Sequence, residues 1–376
     1  SLRGAVMRAH ELVTALVEDG HQVLFSSFGG PMLRFFKEAG ATTLQVTPPP
    51  QHLILPFLRD RTIYERMRKF KPDVVHLSNA ADSQEVRRAA RKLGIPMVAT
   101  VLSPRDATLD DRALWADISA VITVSQAARA EIAKRTGLST AQIRIIHPGI
   151  GPSDARARFL KENRRSQREI PVIGSYGPPE DAEAMYALLR AGRELRRRGR
   201  EFHMLFVGEG PATPAIRDWV ANNDAGSWVI TLDELYDYRV IVRRAHVVVA
   251  AEDSHESVAF ALEALAQGIP AVLAARGGNF ELNEDEKAGL LYAPSDANAL
   301  ADRLERLLSD PLWRQKYAER GRAAVQKNLP IDTMLEKTLE VYSHARDGTL
   351  SYRRSRARQT TSANWSWTGF FREGQK

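Results

Sequence analysis

Between Ala250 and Pro294 the chain places side chains and bare backbone where they can hold an anion and hydroxyl groups. A buried apolar run, Ala245–Ala251, gives way at Ser254-His255-Glu256-Ser257-Val258 to a helical pattern that closes at Gly268. The first N–H groups of such a helix have no intrahelical partner, and with the helix dipole they favour a negative charge. Glu263 lies further along the same helix. A second apolar run, Ala271–Ala274, leads into Arg276-Gly277-Gly278-Asn279, and Leu290–Tyr292 makes a short third run. Two glycines in succession let backbone approach a ligand closely. A helix start and a Gly-Gly loop, both following strand C-termini, mark the edge where open α/β sheets bind nucleotides.

The elements that must position these groups follow one pattern along most of the chain. Short strands, apolar throughout, alternate with helices that stop at Gly: Val74–Leu77, Val121–Val124 and Phe202–Val207 are strands, and Ser83–Leu93 ends at Gly94. That pattern predicts parallel sheets covered on both faces. The charged segment 154–169 lacks an apolar stripe and reads as a linker. The expected organisation is an N-terminal Rossmann-like lobe (1–153), a linker (154–170) and a C-terminal lobe (171–330). A crossing helix and a basic, aromatic tail (331–376) then return to the first lobe. Fold class is α/β, two doubly wound lobes, with the site expected between them. The first lobe lacks its first strand: the chain opens at the turn Arg3-Gly4 with no strand before it. Either the sequence starts inside the domain, which is the favoured expectation, or a central strand is absent, leaving two unpaired edges.

At 376 residues, with 44% hydrophobic and 26% charged residues, the chain has room for two cores. It has no cysteine, so disulfides and thiolate chemistry are excluded. None of its nine histidines has His-x3-His or HExxH spacing, and no metal or cofactor is expected. No apolar run reaches membrane-spanning length and no signal peptide is visible, so a cytoplasmic location is expected. The net charge of +7 is concentrated: from Arg346 onward seven basic residues face two acidic ones. The tail and the run Arg190–Arg200 suit solvated surfaces, or attraction to the inner face of a membrane or an acidic protein partner. Nothing accompanies the charge that would point to nucleic acid.

Several segments, in this order, resemble the GT-B glycosyltransferases of the retaining family 4 (group 1). They are Gly20-His21-x-Val23, Lys71-Pro72-Asp73-Val74-Val75-His76, Ser119–Ser125, Ile145–Ile150, Phe206–Pro211, Leu262–Val272, Gly277-Gly278 with Glu281, and Gly289–Leu291. The resemblance covers residues 3 to about 345. It implies transfer of a sugar from a nucleotide-diphosphate donor, a co-substrate rather than a cofactor, to a glycan, lipid-linked or small acceptor. In that family two glutamates eight positions apart flank the donor; the second binds ribose and the first sits by the sugar.

Glu263 matches the second glutamate; the first position holds His255, with Glu256 beside it, and these two are the catalytic candidates. Ser175, Tyr176, Ser257, Val258, Arg276, Gly277, Gly278, Asn279 and, from the N-lobe turn, Gly4 are the remaining donor-binding candidates. His76 and Arg105 are the acceptor-side candidates. This chain departs from the family at the loop Gly174–Asp181, which has two acids and none of the usual basic residues, and at Leu102, where a histidine is usual. An enzyme is therefore weighed against a catalytically degenerate GT-B protein serving as a binding or scaffolding partner. An epimerase on the same two-lobed fold fits the motif order poorly.

Overall fold

The computed structural model describes all residues except 1–2, 28–31, 47–55, 79–83, 103–114, 152–169, 178, 234–238, 253, 282, 284–287, 349–363 and 369–376. It divides into two compact units, Gly4–Gly149 with Ile331–Lys376, and Ile150–Pro330.

The first unit is a seven-stranded parallel sheet. Its strands are β1 (Gln22–Ser27), β2 (Thr42–Gln45), β3 (Val74–Leu77), β4 (Met97–Thr100), β5 (Ile118–Thr123), β6 (Ile143–Ile145) and one from far along the chain. Val74, Val98, Ile122 and Phe25 face one side, under the helices Arg3–Glu18 and Ile331–Arg346; Val75, Leu77, Ala99 and Val121 face the other. Burial on both faces is why these strands are apolar at every position rather than at alternate ones. Helix ends follow capping chemistry. Ser125 Oγ accepts the Ala128 N–H at the start of Gln126–Thr136, and Gly137 (φ 74°) closes it in the left-handed conformation.

The second unit is a six-stranded parallel sheet of β7 (Val172–Tyr176), β8 (His203–Val207), β9 (Val229–Leu232), β10 (Val247–Ala250), β11 (Ala271–Ala274) and β12 (Leu290–Tyr292). Its order is β12-β11-β10-β7-β8-β9. The chain runs outward from β7 to β9, returns, and runs outward the other way from β10 to β12. The reversal between β7 and β10 opens a crevice at the C-terminal ends of those two strands. The helix Ala182–Arg197 packs its apolar stripe on one face, with Gly192 against the Trp228 ring.

The expected gap in the first sheet is present in chain order and filled in space. The thirteenth strand, β13 (Asn364–Thr368), lies between β1 and β3, parallel to both, with Gln22 opposite Asn364 and Thr368 opposite Leu77. The two edges that an absent central strand would leave unpaired are both paired with the tail segment.

The basic run Arg190–Arg200 is largely neutralised. Arg198 bonds Glu194, Asp302 and Glu305, Arg200 bonds Glu305, and Arg197 bonds Glu194. No helix among the described residues is long and apolar enough to cross a membrane.

Candidate functional site

The crevice between β7 and β10 is built from the turns that follow them. β7 ends at Tyr176, and Gly177 adopts φ +131° against the start of the helix His255–Ala266. A Cβ there would stand 3.3 Å from both Ser254 Oγ and Ser257 N. Glycine is needed on both counts, conformation and space. Ser254 caps the helix, its Oγ accepting the Ser257 N–H at 3.2 Å, and its carbonyl accepts the Val258 N–H at 3.0 Å. Two of the first helical N–H groups therefore already have oxygen partners within the chain.

One residue of this crevice carries chemistry that spacing did not single out. Glu252, two residues beyond β10, is 4% exposed. Its Oε1 accepts the backbone N–H groups of Glu180 and Asp181 at 3.0 and 2.7 Å. Those groups precede the helix Ala182–Arg197, so Glu252 ties the β7 turn to the end of β10. Burial pushes its carboxyl up to about 7, more than the two N–H bonds and nearby Arg276 bring it down. The cue in sequence is an acid directly after an apolar run, and its meaning depends on β7 and β10 being neighbours.

Glu252 and Ser257 line a small cavity of about 20 Å³ together with Ser175, Tyr176, Gly177 and residues from the ends of β8 and β9. Arg276 stands nearby, its Nη1 3.3 Å from Asp181 Oδ2. Asp181 has two tasks, since its Oδ1 also accepts the Glu183 N–H at the helix start. Asn279 is buried and donates to the carbonyl of Glu252 at 3.0 Å, and Tyr292 is buried beneath, its hydroxyl pushed up by desolvation.

The structure brings Ser175, Tyr176 and Ser257 together around the cavity, with Val258 and Glu256 buried on the adjoining first helical turn. Tyr176 also packs against Phe260. Arg276 and Asn279 join this region through Asp181 and Glu252. Gly277 and Gly278 open the short helix Gly277–Glu281. His255 is the first residue of its helix, and its side chain lies outside the described residues, as does Arg105. Gly4 is in the first turn of Arg3–Glu18, with its surroundings also outside.

Glu263, the ribose-binding candidate, is buried within its helix. It is the ninth residue of its helix, 1% exposed, and its Oε1 accepts from Gln267 Nε2 at 2.7 Å. It is not among the residues that line the cavity.

His76, the acceptor-side candidate, is a core residue of the first unit. It is 1% exposed inside the first unit, bonded through Nδ1 to the Tyr342 hydroxyl and through Nε2 to Thr100 Oγ1 at 2.7 Å. Burial, with the charge of Arg8, drives its pKa down to about 3, so the imidazole is neutral. Arg8 is itself buried, donating from Nη2 to the Ile146 carbonyl at 2.6 Å. A spacing argument cannot separate a strand-end histidine from a core one; packing by the distant Tyr342 decides it. Among the described residues there is no group of three His, Asp or Glu side chains able to hold a metal ion.

Two glycosyltransferase family models match in tandem: Glycosyltransferase Family 4 over residues 2–154 and Glycosyl transferases group 1 over residues 167–310. Similar curated proteins include an alpha-D-kanosaminyltransferase of Streptomyces kanamyceticus, 26% identical over 61% of this chain and 66% of that one. A glycogen synthase of Mycobacterium tuberculosis is 26% identical over 75% of this chain and 71% of its own. The match thus spans about two thirds of these relatives' length. Among solved structures, Anabaena HepE in complex with UDP-glucose superposes with a TM-score of 0.70 at 16% identity, covering 91% of this chain and 96% of that one. A glycosyltransferase from Rickettsia africae gives 0.67 at 17%, covering 91% and 95%. With both halves matched in order and each sheet wound as a Rossmann-like lobe, the chain belongs to the family 4, group 1 glycosyltransferases of GT-B fold.

Proposed function

We propose that this protein transfers a sugar from a nucleoside-diphosphate donor, seated at the C-terminal edge of the second unit's sheet, to a hydroxyl of a glycan, lipid-linked or small acceptor. Transfer proceeds without metal and with retention at the anomeric carbon. The observation that carries this reading is the small cavity at the C-terminal ends of β7, β8 and β9, in a chain whose two halves both match glycosyltransferase models. That relatives include a kanosaminyltransferase and that HepE was solved with UDP-glucose supports the donor class.

In such a transfer the bond from anomeric carbon to diphosphate oxygen breaks, the acceptor oxygen bonds that carbon, and its proton departs to the diphosphate. Charge builds on the leaving diphosphate, so fixed donors there lower the barrier. The groups available for that role are Arg276, steadied by Asp181, and backbone at Gly277-Gly278. The test is turnover against a panel of UDP-, GDP- and ADP-sugars, with chromatography for the released diphosphate nucleotide. Hydrolysis or transfer from at least one is expected; folded protein that binds none of them would overturn the reading.

A further inference from the structure

Three turns meet at the C-terminal edge of the second unit's sheet, and Glu252, in the turn after β10, bonds to both of the others. After β7, the Pro179 carbonyl accepts the Ala212 N–H at 2.8 Å, and the N–H groups of Glu180 and Asp181 donate to Glu252 Oε1 at 3.0 and 2.7 Å. After β11, the Arg276 N–H donates to the Ala274 carbonyl at 2.8 Å. Three residues on, Asn279 Nδ2 donates to the Glu252 carbonyl at 3.0 Å. The main chain on either side of the Arg276 side chain is thus fixed. What remains open is the direction of a long, partly exposed side chain that carries the charge. Asp181 decides it. Its Oδ2 accepts from Arg276 Nη1 at 3.3 Å, while its Oδ1 accepts the Glu183 N–H at 3.0 Å.

We propose that Glu252 is a positioning residue: by holding the Asp181 main chain it sets where the Asp181 carboxylate stands, and so holds the Arg276 guanidinium at the donor edge. This rests on the nucleotide-sugar reading above and deepens it. A guanidinium already oriented when a diphosphate arrives gives up little side-chain freedom on binding and needs little reorganisation in the transition state. Without the Glu252 oxygen, the two N–H groups would lose their acceptor and the turn would shift to find another. The Asp181 carboxylate would move with it, since Asp181 is the N-cap residue of Ala182–Arg197. An ion pair as exposed as Asp181–Arg276 adds little stability, so its effect lies in aiming the cation. The loop Gly174–Asp181 has no basic side chain of its own, which makes the aim of Arg276 the more consequential.

The test has two arms. Both use the unmodified protein, Glu252→Ala, Glu252→Gln, Asp181→Asn, Arg276→Ala and the double variant of Glu252→Ala with Arg276→Ala, each checked for fold by circular dichroism. The first arm needs no ligand: it follows modification of Arg276 by phenylglyoxal, read by peptide mass spectrometry. Modification should quicken about two- to fivefold in Glu252→Ala and Asp181→Asn, the factor that an ion pair of this exposure is worth. Glutamine keeps a carbonyl oxygen for the Glu180 and Asp181 N–H groups, so Glu252→Gln should restore the slow rate.

The second arm is calorimetry with UDP-glucose, GDP-mannose and ADP-glucose. For whichever binds, Arg276→Ala should weaken affinity about tenfold or more. Glu252→Ala should weaken it about two- to fivefold, and Glu252→Gln should recover that loss. In the Arg276→Ala background, Glu252→Ala should add nothing further. Should Glu252→Ala fail to fold, Asp181→Asn carries both arms, alone and with Arg276→Ala. Its amide keeps one oxygen for the Glu183 N–H and withdraws the one that takes Arg276. An affinity loss fully additive with that of Arg276→Ala, or Arg276 reactivity unchanged in Glu252→Ala and Asp181→Asn, would overturn the proposal and leave the transferase reading untouched. Quickened modification of Arg276 with no nucleotide sugar bound by any form would remove the transferase reading, and the hold of Glu252 on Arg276 would stand.

Discussion

A carboxylate held under a sheet edge without a bonded cation is expensive, and Glu252 registers the expense in its titration. Its folded-state pKa is raised from 4.5 to about 7. Between those values the folded protein holds a proton that the unfolded chain has released. The group's contribution to stability is therefore greatest below about 4.5, falls as pH rises to about 7, and stays low beyond. Glu252→Gln should raise stability at pH 8 by roughly 1–3 kcal/mol and flatten the slope between pH 5 and pH 8. Urea denaturation across that range measures it. A site residue that costs stability is the usual trade between binding and folding. His76 behaves oppositely, as part of a satisfied interior network. Tyr342→Phe would remove the buried hydroxyl bonded to its Nδ1, at about 1–3 kcal/mol, with no change in donor affinity. Neither assignment was legible from residue type. An acid after an apolar run and a histidine within one look alike on the page. Their roles were set by Glu180, Asp181 and Tyr342, which only folding brings near.

At the scale of elements the sequence was more explicit. Strands such as Val74–Leu77 and Ala271–Ala274 are apolar at every position because both faces are covered, and they stand where that pattern put them. The helix Ala182–Arg197 carries its apolar residues at helical period, but the role of its glycine is not visible in that pattern. Gly192 reads as a weak point, since alanine there would favour the helix by about 1 kcal/mol. Its packing reverses that judgement: a Cβ would come 2.6 Å from the Trp228 ring and 2.9 Å from Met204 Cε. The flexible Met204 can move, but the indole is fixed against Phe202 and Trp219. Overpacking of this kind costs about 1–3 kcal/mol, so Gly192→Ala should be net destabilising. Thermal unfolding decides which term wins. Gly177→Ala tests the site instead. With φ +131° and the helix cap in contact, it should displace the β7 turn and weaken nucleotide binding while leaving helical content unchanged.

At the scale of the molecule the two units differ in how they are assembled. The second is built from one continuous stretch, Ile150–Pro330. The first takes helix Ile331–Arg346 and β13 from beyond that stretch. The helix was visible as an amphipathic pattern, while β13 was not. Asn364-Trp365-Ser366-Trp367-Thr368 alternates polar and aromatic residues beside a basic run, which reads as surface, and only the vacant position between β1 and β3 makes it a strand. Removing residues 349–376 should expose both edges. Hydrogen exchange should then show protection lost across β1 and β3 while β7–β12 retain theirs. Unchanged protection in β1 and β3 would show that β13 does not hold the sheet.

The placement of β13 also bears on the order of events during synthesis. Gln22 leaves the ribosome before the whole of the second unit, Ile150–Pro330, and its neighbour in the sheet, Asn364, only after it. The first unit must wait with its central position open while the second, contiguous unit folds behind it. Nascent chains halted before Asn364 should therefore carry a folded second unit and a chaperone-dependent, protease-sensitive first one. The half of the protein made first is the half completed last.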